Sequence, residues 1–441
     1  MPQYDEEMNR RREKREAMRK KREAEARRLK WTLFLAVLIL AGCVGGIAAL
    51  VRSAGDGEAP QTEVRQTQPQ TEATKAPSDT PAVLQNPITT IHIKAAGDLN
   101  VTDSVVKSGQ TATSYDYSIA FKDVTAILSD ADLTVMNFEG NVCGEPYGTE
   151  TTSAPIELIQ GLRSAGVDLL QMANSCSINN GLNGLTATLR AIRSCGIEPL
   201  GAYSTASEFQ SSKGYTIVDI QGIKVAFVAF TKGLGGRGMP AGNEDLVNLL
   251  YVDYATTYQD INRDRINTIL DAVDAERPDV TVAMLHWGSE YNDDISKTQK
   301  SIVSLLQKRG VDVILGTHPH TVQPIVYDQI GGTLVAYSLG DFFGDADRGG
   351  TNYSIILDIE ITKDSAAGTT KVTGYDYTPI YTVKPTDCQG DYTYSRVMRI
   401  DRALEAYQGN FLDKITDTCA AGMEKALTRI EERLVMPEEK D

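Results

Sequence analysis

Between residues 88 and 320 the chain alternates short apolar runs with amphipathic segments, and this alternation limits the folds that it can adopt. The apolar runs cover residues 89–98, 131–140, 167–174, 279–288 and 311–318. The segments with helical periodicity cover residues 117–129, 155–165, 184–195, 256–276 and 296–309. Strands that alternate with helices predict parallel pairing, whereas the hairpin-like runs after residue 320 predict antiparallel strands. The sequence therefore predicts an α/β domain with mixed sheets, layered as a sandwich.

The apolar runs have a second shared property, because each is followed at its carboxyl end by a side chain that can bind a metal ion. These side chains are Asp98, Asn137 with Glu139, Asn174, His286 with Glu290, and His318 with His320. Since α/β sheets collect ligands at the carboxyl ends of their strands, we expect these side chains to lie together. Nitrogen and oxygen donors without thiolates suit Mn, Zn or Fe. The pattern predicts one or two divalent ions, which could activate water and hold a phosphoryl or similar group.

Each of these residues also has an ordinary structural explanation. An Asp after a strand commonly caps a helix, an Asn commonly occupies a turn, and a His commonly packs in a core. Only their coincidence at five strand ends favours a site. Other catalytic signatures are missing from the sequence, which has no GxSxG elbow, no P-loop and no GxGxxG after a strand. The glycine-rich segment GLGGRG, residues 233–238, is interpreted as a mobile loop that could lie over the site.

Six ordered motifs resemble those of the CapA-like proteins of poly-γ-glutamate capsule biosynthesis, a family that looks distantly related to the calcineurin-like metallophosphoesterases. The motifs are AAGDLNV, MNFEGN, MANSCSINNG, HWGSEY, GTHPHTVQP and YSLGDFF, within about residues 90–345. The resemblance implies a four-layer α/β/β/α sandwich with a metal site. The metal ligands that we expect are Asp98, Asn137, Asn174, His286, His318 and His320, with Glu139, Glu290 and Asp341 in the same pocket. The implied function is capsule or poly-γ-glutamate biosynthesis, through metal-assisted hydrolysis or transfer in which His286 or His320 steers charge.

Three positions depart from the family pattern. Cys176 stands where the family usually has His, and Asn179 stands where it usually has Asp. Asp341 stands where Asn is common, which adds a carboxylate near the site. A cysteine is a weaker acid with a different reach, so Cys176 alters any general acid step. The alternative is therefore a non-catalytic accessory that binds polymer or membrane proteins on a degenerate hydrolase scaffold, and a surface phosphatase unrelated to capsule is a third hypothesis.

The N-terminal region predicts a membrane anchor. Residues 31–51 are uncharged and mostly apolar, long enough to span a bilayer as a helix, and they follow a basic tract in residues 1–30. The positive-inside rule places this tail in the cytoplasm and the main domain outside the cell membrane. The segment LAGC resembles a lipobox, so a lipoprotein anchored at Cys43 is the alternative. After the anchor we expect a disordered linker (52–87), the CapA-like domain (88–390) and a helical extension (391–441).

The charge distribution limits the partners. Residues 1–52 contain 13 Lys/Arg and 7 Asp/Glu, a net +6, so the total of −15 leaves −21 for residues 53–441. Nucleic acid is excluded as a partner of so acidic a body, because phosphate binding needs a basic surface. The expected partners are the lipid bilayer and either an anionic surface polymer or capsule-synthesis membrane proteins. An anionic polymer requires bound metal or a local basic groove.

Overall fold

The structure, a computed structural model, describes residues 87–389, 393–409 and 415–437. Its strands are β1 Ile88–Asn100, β2 Leu133–Glu139, β3 Leu169–Gln171, β4 Glu198–Leu200, β5 Tyr215–Ile220, β6 Ile223–Thr231, β7 Val280–His286, β8 Val313–Thr317, β9 Ile325–Asp328, β10 Thr333–Ala336, β11 Asp341–Phe343, β12 Tyr353–Asp364, β13 Thr369–Val383 and β14 Arg396–Arg399. Its α-helices are α1 Asp103–Ser108, α2 Ser118–Leu128, α3 Ile156–Ala165, α4 Gly181–Ser194, α5 Ala206–Ser212, α6 Arg263–Glu276, α7 Lys297–Lys308, α8 Ile400–Gln408 and α9 Asp417–Arg433.

The predicted membrane anchor is not part of the described chain. The basic tail (1–30), the apolar segment (31–51) with Cys43, and the linker up to residue 86 all lie outside the described residues. Within the described ranges, no helix combines the length and the apolar character needed to cross a bilayer.

The strands form two mixed sheets, as the sequence predicts. The first sheet has the order β14-β13-β12-β1-β2-β3-β4, and β11 pairs with β1 at one end of it. The second has the order β5-β6-β7-β8-β10-β9. Strands β1 to β4 run parallel to one another, and so do β6, β7, β8 and β10. The late strands β12, β13 and β14 add antiparallel pairs beside β1, which confirms the predicted change of pattern along the chain.

Both sheets contribute to a shared apolar core. Ile93 and Val135 of the first sheet belong to the same buried cluster as Phe227 and Met284 of the second. A separate cluster joins alternate residues of the second sheet to helices α6 and α7, with members that include Val228, Leu285, Ile269 and Leu306. Successive strand residues point to opposite faces of a sheet, so strands that are covered on both faces need continuous apolar runs. This explains the nearly continuous apolar runs of the buried strands β7 and β8, all of whose residues are buried.

Aspartates fix the register of the central parallel strands. Four carboxylates, each one residue before a strand, accept the backbone N–H of the adjacent strand at 2.7–2.9 Å. The pairs are Asp132 with His92, Asp168 with Thr134, Asp279 with Lys224, and Asp312 with Thr281. Each of these aspartates also donates its own backbone N–H to the carbonyl oxygen of the same partner. A slip by one residue would turn every side chain to the opposite face, so these double contacts help to hold the strand ends at matched positions.

One predicted helix is too long. The sequence pattern starts a helix at residue 256, but α6 begins at Arg263, after the Asn262 side chain accepts the N–H of Arg265. The residues before it form a turn around Asp253, whose carboxylate accepts the N–H groups of Gln259 and Asp260. Local side chain to backbone hydrogen bonds thus replace the first two turns of the predicted helix.

We expect Asp312→Asn to make the protein more stable at neutral pH than the wild type. Burial raises the pKa of the Asp312 carboxyl from 3.8 to about 6. Because this pKa is higher in the folded than in the unfolded state, the folded protein favours the protonated carboxyl. The contribution of Asp312 to wild-type stability is therefore fully present below the unfolded-state pKa and is lost as the pH rises through about 6. Asparagine keeps an oxygen acceptor for Thr281 without ionising. Relative to wild type, its unfolding free energy should rise by on the order of 3 kcal/mol between about pH 4 and pH 7, measured by urea unfolding.

Asp279→Asn is the matched control, with the opposite sign. Burial acts to raise the pKa of the Asp279 carboxyl, but the Lys363 ammonium, 2.8 Å away, holds that pKa below its ordinary value. This contribution to stability is present above the unfolded-state pKa and is lost on acidification. Asp279→Asn should therefore become less stable than wild type as pH rises through about 4. If the unfolding free energies of the two variants, relative to wild type, changed in the same direction with pH, burial would not be the cause of the shift at Asp312.

Candidate metal centre

The carboxyl ends of the parallel strands from both sheets meet in one buried cluster. Its members are Asp98 of β1, Asn137 and Glu139 of β2, Asn174 after β3, His286 of β7, His318 and His320 after β8, and Asp341 of β11. All eight side chains are buried, although six of them are ionisable and the other two are amides. Strand pairing explains part of this proximity, because Asp98 lies opposite Asn137 on one side and Asp341 on the other. The structure thus brings together the predicted metal ligands.

The first group of possible ligands is Asp98, Glu139 and His286. Their donor atoms lie within 4.8 Å of one another, and His286 Nδ1 is 3.6 Å from Glu139 Oε1. The Asn137 amide donates to Asp98 Oδ1 at 2.6 Å and to Glu139 Oε1 at 3.3 Å. His286 Nδ1 is also 3.2 Å from Thr317 Oγ1, which orients the ring. These contacts hold two carboxylates and one imidazole around a common point.

The second group is Asp98, His320 and Asp341, and its donor atoms also lie within 4.8 Å of one another. His320 Nδ1 is 2.8 Å from Asp341 Oδ1 and 3.6 Å from Asp98 Oδ2. Asn100 donates to the same Asp341 oxygen at 3.0 Å. Asp98 is the only residue that belongs to both of these groups, so its carboxylate lies between them.

The backbone of the His318–Pro319–His320 segment has an unusual conformation. His318 has a φ of 90° and His320 a φ of 59°, in the left-handed region that residues with a Cβ seldom occupy. The backbone N–H of His318 donates to Asp98 Oδ2 at 2.9 Å, and the His318 ring centroid is 4.5 Å from that of His286. Strained backbone of this kind persists where surrounding contacts hold it, most often at functional sites. The segment places both imidazoles against the carboxylates.

Burial dominates the electrostatics of the cluster. It raises the pKa of Asp98 to about 6 and the pKa of Glu139 well above its ordinary value. Burial likewise lowers the pKa of His286 and of His318 well below the ordinary range, so both rings are neutral. Burial also acts to lower the pKa of His320, but the adjacent carboxylates outweigh it and raise that pKa well above normal. Neutral imidazoles beside crowded carboxylates are suited to bind a cation.

Two buried nitrogen atoms support a metal in this cluster. His286 Nε2 and His318 Nδ1 have no hydrogen-bond partner within the described part of the chain. A buried polar atom without a partner is costly and needs an explanation such as an ion. The donor set of imidazole and carboxylate is the one that Mn, Zn and Fe accept. The residues present therefore fit a divalent metal.

Asn174 and Cys176 have contacts that the sequence does not indicate. The Asn174 amide donates to Phe138 O at 2.7 Å and to Asn137 Oδ1 at 3.1 Å, while its oxygen accepts the Cys176 N–H at 3.0 Å. The Asn174 side chain thus holds the Asn137 side chain in position through a hydrogen bond. The half-buried Cys176 thiol is 4.0 Å from Glu139 Oε2, and burial raises its pKa to about 12. Ser175 donates to the same Glu139 oxygen at 3.1 Å.

A cleft of about 310 Å³ opens in front of the cluster. It is lined by Ser175, Lys232, Gly233, Gly235, Gly236, Tyr258, Ser289, Glu290 and His318. Glu290 is exposed, and its carboxylate lies within 4.8 Å of the ring nitrogens of His318 and His320. Asn100, Ser175 and Lys232 are site residues that the sequence pattern misses. Asn100 and Ser175 lie inside the AAGDLNV and MANSCSINNG motifs, while Lys232 directly follows the end of β6.

The fold and this cluster together define an α/β protein with a candidate divalent-metal centre at the carboxyl ends of its parallel strands. The chain belongs to the family described as "Bacterial capsule synthesis protein PGA_cap", whose profile matches residues 92–346. This confirms the family predicted from the six motifs.

Two curated relatives and one solved structure illustrate the similarity. The chain is 26% identical over 261 residues to the capsule biosynthesis protein CapA of Bacillus anthracis, covering 57% of this chain and 60% of the relative. It is 26% identical over 265 residues to the PGA biosynthesis protein CapA of Bacillus subtilis (strain 168), covering 58% and 64% respectively. The match thus spans less than two thirds of either relative. The calcineurin-like phosphoesterase YfkN from Bacillus subtilis aligns with a TM-score of 0.41 and 15% identity, over 79% of this chain and 99% of that one.

Proposed function

We propose that this chain is a membrane-anchored, extracytoplasmic protein of capsule or poly-γ-glutamate assembly that works through a divalent-metal centre. Its scaffold would be a four-layer α/β/β/α sandwich of metallophosphoesterase type. The observation that carries the proposal is the pair of unpartnered buried nitrogens, His286 Nε2 and His318 Nδ1, beside three buried carboxylates. Family membership supports the role in capsule assembly, and the apolar segment 31–51 supports the anchor.

The residues have distinct roles in this proposal. Asp98, Glu139 and His286 would hold one ion, and Asp98, His320 and Asp341 a second. When bound, such ions polarise a substrate oxygen and favour hydrolysis or group transfer. Asn137 and Asn174 orient the ligands through the hydrogen bonds that join them to Asp98 and to each other. His318 lines the cleft and presents its ring to an incoming group.

A second candidate function is a non-catalytic accessory that binds polymer or partner proteins at the membrane. Cys176 favours this alternative, because a thiol rather than an imidazole lies beside Glu139, at 4.0 Å from its carboxylate. An imidazole there could act as a general acid at neutral pH, whereas an uncharged thiol is a poor one. The accessory can act without metal, so a chain that binds no metal would favour it over the metal-dependent candidate.

The test is the metal content of the purified full chain after incubation with Mn and Zn. We expect about one or two ions per chain in the wild type and at least one ion fewer in a His318→Ala/His320→Ala variant, because His320 is a proposed ligand and His318 Nδ1 is one of the two unpartnered buried nitrogens. His92→Ala is the matched control. It removes the one histidine outside the cluster, which is half-buried and bonded to Asp358 at 2.9 Å. A wild-type chain that binds neither ion would contradict the metal proposal and leave the accessory candidate.

A further inference from the structure

We propose that the cleft in front of the metal centre binds an anionic group of the substrate, a carboxylate or a phosphate, through Lys232 and the backbone amides of Gly235 and Gly236. The inference rests on the proposed function, since it assigns the chemical class of the group that is presented to the centre. It also gives a role to the GLGGRG segment.

Lys232 is fixed at the edge of the cleft. It directly follows β6, and its backbone N–H donates to His286 O at 2.7 Å. Its side chain is half-buried, and Nζ donates to Gly288 O at 2.6 Å while lying 4.7 Å from the centre of the Tyr258 ring. An ammonium group has three N–H donors, and within the described chain Gly288 is the one acceptor that Lys232 reaches. Two donors are therefore available to a ligand in the cleft.

The position of this positive charge needs an explanation. Lys232 and His318 line the same cleft, so the ammonium group faces the place where the ligands would hold divalent ions. Like charges repel strongly in a partly buried site. An anionic group bound between the ammonium and the ions would turn this repulsion into two attractions. A lysine in this position therefore suits an anionic substrate, which would add to the attraction that the Glu290 carboxylate of the cleft already exerts on the ammonium.

The glycine loop supplies a second set of donors. Gly235 and Gly236 have φ values of 60° and 76°, and both line the cleft. Their backbone amides donate to no other residue in the described ranges. Successive N–H groups in such turns form concave sites for anions. A Cβ at Gly235 would lie 3.1 Å from Ser175 O, so a side chain there would crowd the wall of the cleft.

The charges around the loop agree with this assignment. Arg237 is exposed and donates to Asn179 Oδ1 at 2.7 Å, which places a second cation beside the glycines. Glu290 is the acidic residue of the cleft lining, and its carboxylate is grouped with the His318 and His320 nitrogens. Lys232 in the cleft and Arg237 next to the glycines therefore supply local positive charge, which a protein with an acidic body needs to bind a polyanion.

The test is isothermal titration of the metal-treated full chain with two probes, inorganic phosphate and a γ-linked triglutamate. We expect Lys232→Met to weaken binding of at least one probe by roughly tenfold to a hundredfold, the usual effect of losing a charged hydrogen bond. The probe that is affected identifies phosphate or carboxylate as the group. Lys224→Met is the matched control. It removes a lysine from the opposite end of β6, where Nζ contacts Glu276 O at 3.3 Å, and should leave both affinities unchanged.

Gly236→Ala gives a second measurement that does not depend on charge. No atom lies within 4 Å of the added Cβ, so the variant perturbs the left-handed conformation without a clash. It should weaken the same probe that Lys232→Met weakens. Unchanged affinity in Lys232→Met, or no binding of either probe to the wild type, would overturn the inference.

Metal content, measured on the same samples, separates this inference from the proposed function. If the chain binds metal but Lys232→Met leaves the affinity for both probes unchanged, the anion subsite is wrong and the metal proposal stands. A chain without metal whose probe binding still depends on Lys232 would overturn the metal proposal and leave the anion subsite intact.

Discussion

Replacing Gly97 with alanine is expected to lower the free energy of unfolding by about 3 kcal/mol or more, the upper range for overpacking. A Cβ at this position would lie 1.8 Å from Gly340 O and 2.9 Å from Gly340 C. Both are backbone atoms, which cannot rotate away as a side chain can. The Gly340 carbonyl also accepts the N–H of Asp98 at 2.9 Å, so moving it breaks the contact between β1 and the segment that precedes β11. Urea unfolding would measure the loss.

Gly349→Ala is the control for this prediction. No atom lies within 4 Å of a Cβ at Gly349, and its backbone is not left-handed, so its effect should stay within about 0.5 kcal/mol. Any folded fraction of Gly97→Ala should also bind metal poorly, because Asp98 is the next residue. Equal stability of the two variants would show that β1 and Gly340 do not approach as closely as the structure indicates.

The parts of the fold that follow from local signals were predictable. Helix α7, expected at residues 296–309, spans Lys297–Lys308, because Ser296 and Gln299 form a capping box at its start. The length of α6 was not predictable from periodicity, since the Asn262 cap and the Asp253 turn compete with the helix. The assignment of each strand to one or the other sheet was not predictable either. It depends on pairs distant in sequence, such as β1 with β12.

The candidate site shows the same division. The positions of Asp98, His286 and His318 follow from strand ends, which parallel register brings to one edge. The direction of each hydrogen bond does not follow from the sequence. Asn174 is predicted as a ligand, but its amide N–H groups donate to Phe138 O and Asn137 Oδ1. These contacts depend on how the ends of β2 and β3 pack together, which the sequence does not indicate. Lys232 could not be predicted as a site residue, because lysine is not a usual metal ligand and a single lysine after a strand matches no known motif.

Asp98→Asn is expected to remove all bound metal, whereas Asp341→Asn is expected to remove one ion of two. Asp98 belongs to both candidate ligand groups, while Asp341 belongs to one of the two groups that contain Asp98. An asparagine oxygen lacks the charge that offsets a divalent ion in a buried site, so affinity should fall by roughly a hundredfold or more at each ion that is affected. Metal content after dialysis, with chelator competition for affinity, measures both quantities.

The comparison is informative because the two substitutions are chemically identical and both sites are buried, at 0% and 6% exposure. General damage to the fold would lower metal content in both variants alike, and thermal unfolding would detect it. A shared carboxylate predicts unequal stoichiometry, with one ion left only when Asp98 is intact. If each variant keeps one ion, Asp98 does not lie between two ions, and the centre consists of two independent sites. If the wild type binds a single ion that only Asp98→Asn removes, the ligands are Asp98, Glu139 and His286, and the Asp341 group serves to position His320.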